Sequence, residues 1–131
     1  MGYHMAQIDS SFVIPADLTD EALFSLKGEM KNRAHFWDSI VDCEAVIRAD
    51  SLSEALQLFQ WKAYIDKDDS VNGILFVGEV YRDDDQLFSI LAPYAHSGST
   101  ITMRGEDGSI WRWLIDANGK CKEQEGSIHF E

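Results

Sequence analysis

Apolar positions recur along the chain at two periods, and the switches between them mark out strands and helices. Over 3–14, Ala6, Ile8, Phe12 and Ile14 share one face of an imperfect alternation, which predicts a strand stopped by Pro15. Asp17 or Thr19 then offers a helix cap. Asp20 and Glu21 fill the first turn, where the positive helix end favours acids. Leu23, Leu26 and Met30 follow at helical spacing, an amphipathic helix of about four turns. The stretch 33–50 is open between a further helix and an ordered loop pinned by His35, Phe36, Trp37, Ile40 and Val41. Ser51-Leu52-Ser53-Glu54 matches a capping box in which Glu54 returns to the Ser51 amide, and Leu52, Ala55, Leu56 and Phe59 form the stripe behind it.

From Gln60 the period becomes two. Trp61, Ala63 and Ile65 make a strand, Asp66-Lys67-Asp68-Asp69-Ser70 a turn, and 73–81 a returning strand apolar on both faces, which predicts a central place in a sheet. Asp83-Asp84-Asp85-Gln86 opens another helix that buries Leu87, Phe88, Ile90, Leu91 and Tyr94 and ends at Pro93. The remainder reads as a meander: strands over 99–104 and 109–116, a Gly105–Gly108 turn, an Asn118-Gly119 type I′ signal, then strands over 120–124 and 127–131. The order β-α-α-β-β-α-β-β-β-β predicts a single α+β domain over 1–131, its helices packed on one face of an antiparallel sheet.

Composition narrows the function. Of 131 residues, 23 are acidic and 11 basic, a net charge of −12, while 45% are apolar. The apolar share excludes a disordered acidic tail. The field and the scattered basic residues argue against direct binding of nucleic acid or an anionic membrane. The chain shows no membrane-length apolar run and no basic-then-apolar signal segment, so a cytoplasmic setting is expected. Cys43 and Cys121 belong to no metal-binding spacing and are expected as two reduced thiols.

Candidate chemistry thins out on inspection. The 66–77 segment has Val71 where a calcium loop needs glycine and Val77 where it needs glutamate. His4, His35, His96 and His129 accompany no recognisable nucleophile, and no phosphate-cradling glycine motif occurs. No cofactor or metal is expected. Two features favour contact with a protein instead. One is the pair of acidic triplets, Asp66, Asp68 and Asp69 and then Asp83, Asp84 and Asp85, which a strand of about eight residues would hold roughly 25 Å apart. The other is Ile110-Trp111-Arg112-Trp113-Leu114-Ile115, in which Trp111, Trp113 and Ile115 face one way and Ile110, Arg112 and Leu114 the other. Trp111, Arg112 and Trp113 are either a partner surface or core. An alternative is a small-molecule or catalytic pocket between sheet and helices around His96, Arg104 and Arg112. A third is a structural homo-oligomer.

Several short segments together resemble a family of small uncharacterised bacteriophage and prophage proteins. They are Met1-Gly2-Tyr3, Phe12-Val13-Ile14-Pro15-Ala16, Ala55-Leu56 before Trp61, Gly73-Ile74, Gly78-Glu79, Leu87-Phe88, Leu91-Ala92-Pro93-Tyr94, Gly98-Ser99, Arg104-Gly105-Glu106-Asp107-Gly108 and Trp111-Arg112-Trp113. The resemblance brings no activity and no functional residues. It implies an accessory protein made inside an infected or lysogenic bacterium, and the leading expectation is a non-catalytic acidic binder of a host or phage protein. One form of this is inhibition of a nucleic-acid-binding defence effector, with carboxylates standing in for phosphates.

Overall fold

The structure, a computed structural model, describes residues 2–126, so the strand expected over 127–131 lies outside the described residues. The elements in chain order are β1 (Met5–Ser11), β2 (Val13–Ile14), α1 (Thr19–Asn32), α2 (Ala34–Trp37), α3 (Cys43–Ile47), α4 (Leu52–Leu58), β3 (Trp61–Ile65), β4 (Val71–Phe76), α5 (Asp84–Leu91), β5 (Thr100–Gly105), β6 (Ile110–Ile115) and β7 (Cys121–Gly126). The class is mixed α+β with antiparallel sheets, as the periodicities predict. There are two sheets rather than one, ordered β1-β5-β6-β7 and β2-β4-β3.

The first strand is where the single-sheet expectation breaks. A bulge between Gln7 and Asp9 shifts the register against β5, and the chain leaves that sheet at Phe12 to pair Val13 and Ile14 with β4. The apolar face read from the alternation is therefore split. Phe12 and Ile14 are buried, but Ile8 is 51% exposed. The two sheets stay joined because Gln7 and Ser10 lend side-chain hydrogen bonds to the carbonyl of Ile74, and Gln7 Oε1 accepts from the amide of Phe76. The returning strand stops at Phe76. Residues 79–81 instead run beside the start of the chain, with Met5 N donating to Glu79 O and Tyr81 N to Tyr3 O.

Helix boundaries follow their caps. A 3-10 turn over Ala16–Leu18 precedes α1, and neither Asp17 nor Thr19 caps an amide there; the Thr19 hydroxyl donates back to Ala16 O at 2.9 Å. Ala22, Leu23, Leu26 and Met30 are the buried stripe of α1. The open region 33–50 resolves into two short helices, the second capped by Asp42, whose Oδ1 accepts from the Ala45 amide. Trp37, the last residue of the first, is wholly buried, edge-on to Phe36 and Phe59. The capping box at α4 forms with one change: Ser51 Oγ accepts from the Glu54 amide, while the Glu54 carboxylate reaches the amide of Asp50 rather than that of Ser51.

The β3–β4, β5–β6 and β6–β7 hairpins use one turn design. In each a four-residue turn closes with an i to i+3 bond, and its fourth residue is left-handed: Asp69 at φ 69°, Gly108 at 85° and Gly119 at 72°. Asn118 does not share that conformation, so the Asn118-Gly119 turn is a type I turn followed by a left-handed glycine and not type I′. β4 is central, as expected. The core lies between the inner sheet faces and the helices. Trp61, Phe88 and Trp113 meet there with ring centroids 5.0 to 6.4 Å apart, closed by Ile101, Met103, Ile115 and Leu91.

Candidate functional site

The positions of the acids decide what the negative field can do. In the β3–β4 turn, Asp66 and Asp68 are committed to the turn itself. Asp66 Oδ1 accepts from the Lys67 amide, and Asp68 Oδ1 accepts from the Ser70 hydroxyl at 2.6 Å and the Ser70 amide at 3.0 Å. The Ser70 hydroxyl bond, followed by the Ser70 amide bond, holds the Asp68 carboxyl below its ordinary value. Asp69 makes no such bond among the described residues, and neither do Asp17 and Asp20.

These groups share a place. Asp68 and Asp69 from the hairpin, with Asp17 and Asp20 from the start of α1, line one cleft of about 640 Å³, whose floor includes Leu52, Ile65 and Val71. No lysine, arginine or histidine lines it among the described residues. In sequence Asp17 and Asp20 are helix-start residues; that they also line this cleft follows from the hairpin tip lying at the head of α1.

The second triplet behaves differently. Asp84 is 3% exposed and belongs to the core. Its Oδ1 accepts from Trp61 Nε1 at 2.8 Å, its Oδ2 accepts from the Arg82 amide at 2.9 Å, and burial pushes its carboxyl above the ordinary value. Asp84 is therefore corrected from a partner-facing acid to a structural one. Asp85 accepts a hydrogen bond from the Tyr81 hydroxyl, and Asp83 takes the left-handed conformation that turns the chain into α5. The two triplets do not gather into one surface: the hairpin acids join α1, while Asp84 and Asp85 are held at the head of α5.

The tryptophan strand resolves residue by residue. Trp113 is core, 1% exposed, with its ring 5.0 Å from Phe88. Trp111, on the same inner face, is half-buried against Trp113 and Tyr3, with both centroid distances 6.1 Å. Arg112 points to the outer face, exposed, its Nε donating to Gln124 Oε1 at 2.7 Å. The strand register puts Arg104 and Lys122 on the same outer face as Arg112, so three of the basic residues that look scattered in sequence lie diagonally across β5, β6 and β7. Lys122 faces Asp116 at 3.5 Å. Since Arg104 and Arg112 are on the outer face, they do not converge with His96 between sheet and helices, and the pocket read around those three residues is not formed.

A different cleft does open on the inner side, at the end of the sheet near the 105–108 turn. It measures about 470 Å³, and Tyr3, Tyr81, Ser109, Trp111, Glu123 and Glu125 line it. Tyr3 reaches it by lying over Gly105, where a Cβ would sit 1.6 Å from the phenol oxygen; only glycine leaves room. The Tyr3 hydroxyl donates to Asp107, and that bond is the main cause that raises the phenol and lowers the carboxyl. Tyr81 is raised by burial first and then by its bond to Asp85. Neither Tyr3 nor Tyr81 stands out in the sequence as a site residue; Gly105, at the end of β5, is the one sign of a close approach, and it points to Tyr3 alone.

The two thiols are free, Cys43 buried and Cys121 half-buried, and burial pushes Cys121 up to about 12, so it is held as an unreactive thiol at neutral pH. Among the described residues no group of three or more histidine, cysteine or acidic side chains is placed to hold a metal ion, and no helix is long and apolar enough to cross a membrane. No family model, curated protein or solved structure matches the chain.

Proposed function

We propose that this chain is a non-catalytic accessory protein of phage type that binds a basic protein partner in the bacterial cytoplasm, and that the cleft lined by Asp17, Asp20, Asp68 and Asp69 is where the partner docks. One observation supports it most. Three carboxylates from two distant segments, with no hydrogen bond or ion pair of their own among the described residues, line one cleft that has no basic residue. Like charges at close quarters cost stability and draw in a positive partner. Asp68 adds a fourth charge that Ser70 keeps ionised.

The partner class follows from the sign of the charge. A basic surface that attracts clustered carboxylates also attracts phosphates, so the favoured partner is a nucleic-acid-binding effector whose basic face the cleft occupies. The test is capture of proteins from a bacterial lysate on the immobilised chain, eluted with duplex DNA as competitor. The comparison is a variant carrying Asp17→Asn, Asp20→Asn and Asp69→Asn; asparagine tolerates the left-handed conformation at 69. A DNA-binding protein that the wild type retains, that DNA displaces and that the variant holds at least tenfold more weakly is the expected result. Retention unchanged by DNA and by the three substitutions contradicts the proposal.

A further inference from the structure

The cleft on the inner side of the C-terminal sheet is independent of the acidic one. Three segments far apart in the chain build it. Tyr3 precedes β1, Tyr81 lies between β4 and α5, and Trp111 is on β6; the backbone bond from Tyr81 N to Tyr3 O at 2.8 Å brings the two phenols together. Tyr3 and Trp111 are tilted at 44° with centroids 6.1 Å apart, so their faces are not stacked shut. Asp107 accepts a hydrogen bond from the Tyr3 hydroxyl, and Asp85 accepts one from the Tyr81 hydroxyl. Glu125 lies opposite Trp111 in the β6–β7 ladder and Glu123 opposite Trp113, which puts both glutamates on the same inner face. Both line the cleft, and neither has a hydrogen bond or ion pair among the described residues.

From this arrangement we infer that the cleft formed by Tyr3, Tyr81, Trp111, Glu123 and Glu125 is a binding site for an organic cation, a guanidinium or an alkylated ammonium. Aromatic faces carry negative potential and attract cations, most strongly where water is partly displaced. A phenol that donates its hydrogen to a carboxylate gives more electron density to its ring, so both tyrosines are tuned in the same sense. The glutamates supply the countercharge, and no lysine, arginine or histidine among the described lining residues competes for them. The choice between cations follows from hydration. A small, tightly hydrated metal ion gains little from rings and finds only two cleft carboxylates, whereas a large, weakly hydrated guanidinium or alkylammonium uses both. The volume of about 470 Å³ suits a side chain or small molecule of this kind.

The test is an NMR titration of the full chain, following the indole N–H signal of Trp111, assigned by its loss in Trp111→Phe. Arginine amide and choline are added separately, each beside its uncharged counterpart, citrulline amide and 3,3-dimethylbutanol. Saturable movement of the Trp111 signal with one cation is expected, with at least tenfold weaker binding of its uncharged counterpart. The double variant Glu123→Gln and Glu125→Gln, whose exposed positions leave the fold intact, should also bind at least tenfold more weakly. Arginine amide winning assigns a guanidinium, and choline winning assigns a quaternary ammonium. If neither cation moves the signal, or the uncharged counterparts bind as well, or the double variant binds like wild type, the inference is overturned. None of these outcomes bears on the acidic cleft, which shares no residue with this one.

Discussion

At the scale of single residues, Asp84 shows how a carboxylate can leave the surface to serve the core. The Trp61 indole is wholly buried, and its N–H needs an acceptor; Asp84 supplies it at 2.8 Å and takes the Arg82 amide with its other oxygen. Because burial raises its folded carboxyl above the unfolded value, protonated Asp84 favours the fold, and that contribution is lost as pH rises through the raised value. The carboxyl is kept because removing it strands the indole N–H. Asp84→Ala is expected to cost about 2–3 kcal/mol by leaving the indole N–H without a partner. Asp84→Asn keeps an acceptor for Trp61 and should cost less. Urea unfolding of the two variants measures the difference, and equal losses would show that the indole bond is not the cause. The neighbouring acid run in the sequence hides all this. Asp83, Asp84 and Asp85 look alike there, and only the placement of Trp61 beneath α5 distinguishes the middle one.

At the scale of elements, most of the helices and strands were legible because their periods are clear and their ends carry chemical markers. Ser51 with Glu54 announced α4, and the polar run 66–70 announced a hairpin, both present in the structure. What was not legible depends on partners distant in sequence. The chain switches sheets at Phe12, after a bulge at Gln7/Asp9 and a last pairing of Ser11 with Thr100, and no periodicity in 3–14 records which strand each half will meet. Region 33–50 divides into two helices, the first ending in Trp37, which packs edge-on to Phe59 from the end of α4. The acidic cleft was half legible: Asp68 and Asp69 were singled out, but Asp17 and Asp20 read only as helix-start residues. The Asn118-Gly119 signal located a turn and mistook its type.

Turn carboxylates also set the acid response of these elements. The Tyr3 hydroxyl, with the Ser109 amide as a further donor, depresses Asp107 below its ordinary 3.8. A depressed folded value means that the stabilisation is fully present above the unfolded value and is lost as pH falls through the folded one. The difference in urea midpoint between wild type and Asp107→Asn should therefore be largest at neutral pH and shrink below pH 3.8. A difference that stays constant down to acid pH would mean that Asp107 acts through shape and not through charge.

At the scale of the whole molecule, a net charge of −12 is spread unevenly. Arg104, Arg112 and Lys122 share the outer face of the C-terminal sheet, whereas uncommitted carboxylates gather at the head of α1 and the β3–β4 tip. On the proposed reading, the acidic cleft is the electrostatic feature a partner meets. It is expected to orient a basic protein before contact, since summed charge acts over about a Debye length. The aromatic cleft, on the inference drawn above, would add a second, shorter-ranged recognition element built on rings. The central claim is that contact through the acidic cleft is what the molecule does. The most direct measurement is the affinity of the purified chain for the partner it captures, taken as a function of salt concentration, for wild type and for the Asp17→Asn, Asp20→Asn, Asp69→Asn variant. The account predicts wild-type affinity that falls steeply with salt and a variant that is weaker at low salt with a shallower slope. Affinity indifferent to salt, and equal in the two proteins, would contradict it.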